Sequence, residues 1–65
     1  MKIYPYIVSD NNLSSIKISL QLKKKIKNYP LTKSNLIIVI GGDGFMLSSL
    51  KKHYKYKKPF YGINS

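Results

Sequence analysis

The sequence predicts an α/β domain built as strand–helix–strand–helix–strand, with the strands parallel. Leu36 to Ile40 is an unbroken run of five apolar residues, mostly β-branched. A parallel strand covered on both faces reads this way. The run stops at Gly41-Gly42-Asp43-Gly44, as a strand does when it delivers a loop to the carboxyl edge of a sheet, where α/β proteins bind ligands. Apolar residues at helical spacing lie on either side of it in the chain.

The first strand is expected over Lys2 to Val8. Pro5 removes one ladder donor there, so this strand should lie near an edge or bend. Ser9-Asp10-Asn11-Asn12 is a turn rich in helix-capping side chains. A helix is predicted from Leu13 to Asn28. Leu13, Ile16, Ile18, Leu20, Leu22 and Ile26 spread over one broad sector, with Ser15 and Ser19 between them. Lys23, Lys24, Lys25 and Lys27 sit in its final turns, where cations complement the helix dipole. Pro30 disfavours helix at Tyr29, so residues 29–35 form a connector into the central strand. This strand, helix and parallel strand are expected to make a right-handed unit. A second helix should run from about Phe45 to Tyr54, with Met46, Leu47, Leu50 and Tyr54 towards the sheet. His53 has no partner at metal-ligand spacing and is expected at the surface or half-packed. Lys57-Lys58-Pro59 is a turn, and Phe60 to Ile63 begins the third strand. The pattern is that of a partial, Rossmann-like three-layer domain.

Composition limits the function classes. A chain of 65 residues without cysteine has neither a disulfide nor a thiolate–zinc staple, and a domain this small is marginal alone. No apolar run approaches the roughly 18 residues of a membrane span. A cytoplasmic location with no membrane partner is the expectation. The net charge of +10 comes from 12 lysines and no arginine. Such a charge suits nucleic acid, but the usual bidentate reader of guanine is missing. Lys, Ile, Asn, Ser and Tyr are enriched together, as an A+T-rich coding bias would produce. Lysines as solvated charge that helps attract anionic nucleotides is the more economical account, and no nucleic-acid partner is expected.

The candidate site is the glycine loop. Free N–H groups at a helix start carry about half a positive charge and suit phosphate oxygens. Glycines let those groups approach a ligand without a Cβ in the way. Asp43 and Asp10 are the two acidic residues of the chain, so a carboxylate acting as base falls almost necessarily to Asp43. Helix capping is the bland alternative for Asp43, but a cap does not call for three flanking glycines. Gly62-Ile63-Asn64 closes the third strand. In a parallel sheet that loop shares an edge with the first, so Asn64 is a candidate for the same cleft. Neither the G-x-G-x-x-G fingerprint nor a P-loop is present.

Ile40-Gly41-Gly42-Asp43-Gly44 followed by Tyr61-Gly62-Ile63-Asn64-Ser65 resembles the N-terminal domain of the NAD kinase family. That family carries Gly-Gly-Asp-Gly after a strand and a Gly-Ile-Asn motif about twenty residues later. The resemblance implies transfer of the ATP γ-phosphoryl group to the 2′-hydroxyl of the adenosine ribose of NAD, giving NADP. It implies Asp43 as the proton acceptor, Asp43 and Gly44 as part of the NAD site, and Gly41 and Gly42 along the nucleotide phosphates, with Asn64 of the second motif kept as a cofactor-binding candidate from its place at the sheet edge. Mg²⁺ or another divalent cation would arrive with ATP. Two positions depart from the family pattern: Phe45 replaces a threonine, and Ser48 replaces a basic or imidazole side chain. The resemblance reads residues 1–65 as the first part of the nucleotide-binding domain, without the following β-rich domain and with little or no kinase activity alone. The full-length protein would be a homo-oligomer. Diacylglycerol-type lipid kinases share Gly-Gly-Asp-Gly, but Gly62-Ile63-Asn64 speaks against that alternative. A non-catalytic basic nucleic-acid module rests on charge alone.

Overall fold

A computed structural model describes residues 2–65. Its elements run β1 (Pro5–Ser9), α1 (Leu13–Lys25), β2 (Leu36–Gly41), α2 (Asp43–His53) and β3 (Phe60–Asn64), with short 3₁₀ turns at Leu31–Lys33 and Tyr54–Tyr56. The strands form one parallel sheet in the order β1-β2-β3. The predicted α/β architecture is therefore present. β1 occupies an edge, where the missing N–H of Pro5 removes nothing from a central ladder. No helix of the described residues is long and apolar enough to cross a membrane.

β2 is the core. Ile37, Ile38, Val39 and Ile40 are all buried, and β1 adds the buried Pro5 and Ile7. Alternation along β2 sends Ile38 and Ile40 to one face, where they meet Ile7, Ile63 and, from α1, Ile18, Leu22 and Ile26. The other face carries Ile37, Val39 and Gly41. Phe45 of α2 lies against Gly41, Met46 lies against Gly62, and the His53 ring meets Tyr6 at 5.9 Å. One helix thus covers each face, giving three layers. Both connections step the same way across the sheet, from β1 to β2 to β3. With helices on opposite faces the two connections differ in hand, so they are not both right-handed. The apolar side chains of β2 point both ways and are covered on both sides.

Several boundaries and faces differ from the expectation. β1 runs Pro5–Ser9, since Tyr4 and Asn35 instead join the start of the strands through Tyr4 N–H to Asn35 Oδ1 at 2.7 Å. α1 stops at Lys25, because Ile26 turns extended while its N–H still bonds Leu22 O. Asn28, released from the helix, accepts the Ile7 N–H at 2.9 Å. The buried line of α1 is Ser15 and Ser19 flanked by Ile18, Leu22 and Ile26, while Leu13, Ile16 and Leu20 are exposed. The sheet takes the small side chains, which let the helix axis come close. In α2 the correction is larger. Leu47, Leu50 and Tyr54 are exposed, and Phe45, Met46, Ser49 and His53 face the sheet. His53 is buried, not at the surface, with Nδ1 3.0 Å from Ser49 O and its ring between Tyr6 and Tyr56.

Candidate functional site at the carboxyl edge of the sheet

The three strand exits meet at one edge. Gly41 ends β2, Gly42 is extended (φ −82°, ψ 179°), and α2 starts at Asp43, two residues earlier than the periodicity suggested. Gly42 O accepts the Met46 N–H at 2.9 Å, so Gly42 takes the cap position with no side chain to fill it. Asp43 is the first helical residue and makes no capping bond. A carboxylate there complements the positive end of the helix dipole. Among the described residues its oxygens accept no hydrogen bond, and the side chain is exposed. Asp43 is thus turned outward and is not locked onto its own helix.

The glycines separate into two kinds. None has a positive φ, so backbone freedom accounts for none of them. A Cβ on Gly41 would lie 2.7 Å from Phe45 Cδ2 and 3.2 Å from Asp10 Cβ. Gly41 is therefore a packing glycine. A Cβ on Gly62 would come 3.1 Å from Met46 Sδ, a contact that a flexible methionine can relieve. A Cβ on Gly42 or Gly44 would meet nothing within 4 Å. Neither packing nor a positive φ calls for glycine at either position, and both flank Asp43 in front of open space.

Asn64 pairs with Gly41 in the register of β3 on β2, which puts it at this edge and on the α2 side of the sheet. Asn64 is exposed. Sequence reasoning missed the surroundings of this loop. Asp10 N–H bonds Ile40 O at 2.9 Å, and Ser65 N–H bonds Gly41 O at 3.2 Å, so the exits of β1 and β3 are fastened to β2 on either side. Ser15, fully buried on α1, has its Oγ 2.6 Å from Ser65 Oγ. The capping signal of Asn12 was legible in the sequence, but the Ser15–Ser65 pair spans fifty residues and leaves no local trace. Among the described residues no three His, Asp or Glu side chains gather to hold a metal ion. A depression lined by Ile18, Gln21, Leu22 and Lys25 lies along α1 and not at this edge.

The chain is similar to NAD kinases. It is 31% identical over 58 residues to the NAD kinase of Rickettsia rickettsii (strain Sheila Smith), covering 89% of this chain and 23% of that protein. It is 36% identical over 44 residues to the NAD kinase of Hyphomonas neptunium, 68% of this chain and 17% of that protein. The NAD kinase of Rickettsia prowazekii is 29% identical over 58 residues. The chain thus spans about a quarter of the length of the Rickettsia relatives. No protein-family model matches the chain, and no solved structure matches it. Neither the lipid-kinase reading nor the nucleic-acid reading gains support from these similarities.

Proposed function

We propose that this chain supplies the nucleotide-binding edge of an NAD kinase. The observation that carries the reading is the pair Gly42 and Gly44. Both stand in open space beside an outward carboxylate, at the start of a helix, where neither packing nor a positive φ calls for glycine. A ligand that must approach the backbone closely would supply the reason. The similarity to proteins named NAD kinase supports the choice of ligand.

In this reading the free N–H groups at the start of α2 bind phosphate oxygens, and Asn64 holds the cofactor from the neighbouring strand. Asp43 takes the proton of the ribose 2′-hydroxyl as that oxygen bonds the γ-phosphorus of ATP. The bond from the γ-phosphorus to the bridging oxygen breaks, and ADP leaves with the electron pair. The chain offers Asp43 as its one carboxylate in this loop, which suits a divalent cation carried on the ATP phosphates rather than caged by protein. A positioned base contributes about 10²–10⁴-fold in rate.

Titrating NAD into ¹⁵N-labelled chain should shift the amides of Gly41, Gly42, Asp43, Gly44 and Asn64. Exchanging this chain for the matching segment of the Rickettsia rickettsii enzyme should give a hybrid that makes NADP. In that hybrid Asp43→Asn should lower kcat by about 10²-fold or more while NAD still binds. Absence of amide shifts together with an inactive hybrid rejects the reading. An active hybrid whose rate survives Asp43→Asn removes Asp43 from the chemistry.

A further inference from the structure

We propose that Ser15 is a positioning residue that clamps the exit of β3 and so holds Asn64 beside the Gly-Gly-Asp-Gly loop. The proposal deepens the nucleotide-site reading and rests on it for the ligand. It starts from a closed circuit of hydrogen bonds at the carboxyl edge. Asp10 N–H bonds Ile40 O at 2.9 Å, and Asp10 accepts the Asn11 N–H at 2.7 Å and, at 3.4 Å, the Asn12 side-chain amide. Asn12 Oδ1 accepts the Ser15 N–H at 2.8 Å, which caps α1. Ser15 Oγ and Ser65 Oγ share a hydrogen bond of 2.6 Å, and Ser65 N–H returns to Gly41 O at 3.2 Å. The circuit therefore joins the exits of β1, β2 and β3 through the first turn of α1.

Two features make Ser15 more than a core residue. It has 0% exposure, so its hydroxyl has no water to fall back on, and Ser65 is its partner. The backbone bond that otherwise holds Ser65 is long at 3.2 Å. Strand alternation does the rest. With the Ser65 side chain fixed towards α1, the preceding residue, Asn64, must project to the other face, where α2 begins at Asp43. Without the clamp the last pair of the β2–β3 ladder frays and Asn64 loses its orientation.

The test is a double-mutant cycle on the whole chain with Ser15→Ala, Ser65→Ala and both together. Two readouts are taken: amide exchange of Ser65 relative to Ile63, and NAD affinity from the NMR titration. Each single variant should speed Ser65 exchange and weaken NAD binding by about five- to tenfold, with the double variant no worse than either single one. Circular dichroism should show α1 retained in all three. Additive losses would mean that Ser15 acts by packing alone and overturn the clamp. So would unchanged Ser65 exchange in Ser15→Ala, whatever NAD does. Wild-type chain that binds no NAD rejects the nucleotide reading instead, and Ser65 exchange still decides the clamp.

Discussion

Gly41 and its two neighbours Gly42 and Gly44 obey different demands, and substitution separates them. Alanine at Gly41 places its Cβ 2.7 Å from Phe45 Cδ2 and 3.2 Å from Asp10 Cβ, so a ring and a side-chain stem must shift. Overpacking of this kind costs about 1–3 kcal/mol. Gly42→Ala meets no atom, and Gly44→Ala removes a glycine from the first turn of α2, a change worth up to about 1 kcal/mol of added stability. Urea unfolding of the three variants should therefore rank Gly41→Ala well below the parent and Gly44→Ala at or above it. NAD titration should give the reverse lesson, with binding lost in the Gly42 and Gly44 variants. If both keep parental affinity, the loop does not need close backbone approach. The sequence alone pointed to this loop because four residues in a row carried the signal. It did not distinguish the crowded Gly41 from Gly42 and Gly44, which face open space, since that depends on Phe45 folding back over Gly41.

At the scale of elements, α1 is apolar on two sides, and only one of them is used. Leu22 packs on the Ile7–Ile38–Ile40 cluster, while Leu20 is 57% exposed. Leu22→Ala should cost about 2 kcal/mol or more, near the lower end for buried leucine. Leu20→Ala should stay within about 0.5 kcal/mol of the parent, as surface changes do. Equal losses at the two positions in thermal unfolding would restore the broad apolar face expected from spacing. The strands were legible because β-branched runs and punctuating glycine and proline leave a sharp local pattern. The helix faces were not, because six apolar residues spread over a wide sector fit more than one rotation. Contact with the sheet selected Ser15 and Ser19 for the interior, a choice that periodicity of hydrophobicity cannot see. The same blindness hid His53. Its Nδ1–H is satisfied by Ser49 O one turn back, and Tyr6 from β1 supplies the cover.

Across the whole molecule the topology sorts charge. Helices in a parallel sheet run back from the carboxyl edge to the amino edge, so the lysines at their ends collect at the amino edge. Lys23, Lys24 and Lys25 end α1 and Lys27 follows it, Lys51 and Lys52 lie in the last turn of α2 and Lys55 follows it, and Lys2, Lys33, Lys57 and Lys58 precede the three strands. Lys17 is the exception. Both carboxylates, Asp10 and Asp43, sit at the opposite edge. The six residues of β2 separate the two edges by about 20 Å at strand rise, more than two Debye lengths, since that length is about 8 Å at physiological salt. The lysines therefore give weak attraction at the glycine loop, which weakens the expectation that they draw nucleotides there. In the proposed reading, phosphate binding at this edge would fall to the N–H groups at the start of α2, whose dipoles are fixed by the helix. NAD affinity of the chain should then change by less than about twofold between 50 and 300 mM salt, and Lys23, Lys24 and Lys25 replaced together by glutamine should leave it unchanged. Direct lysine–phosphate contacts would show the opposite, a steep loss of affinity as salt rises. That slope would move the phosphate site to the amino edge and away from Asp43.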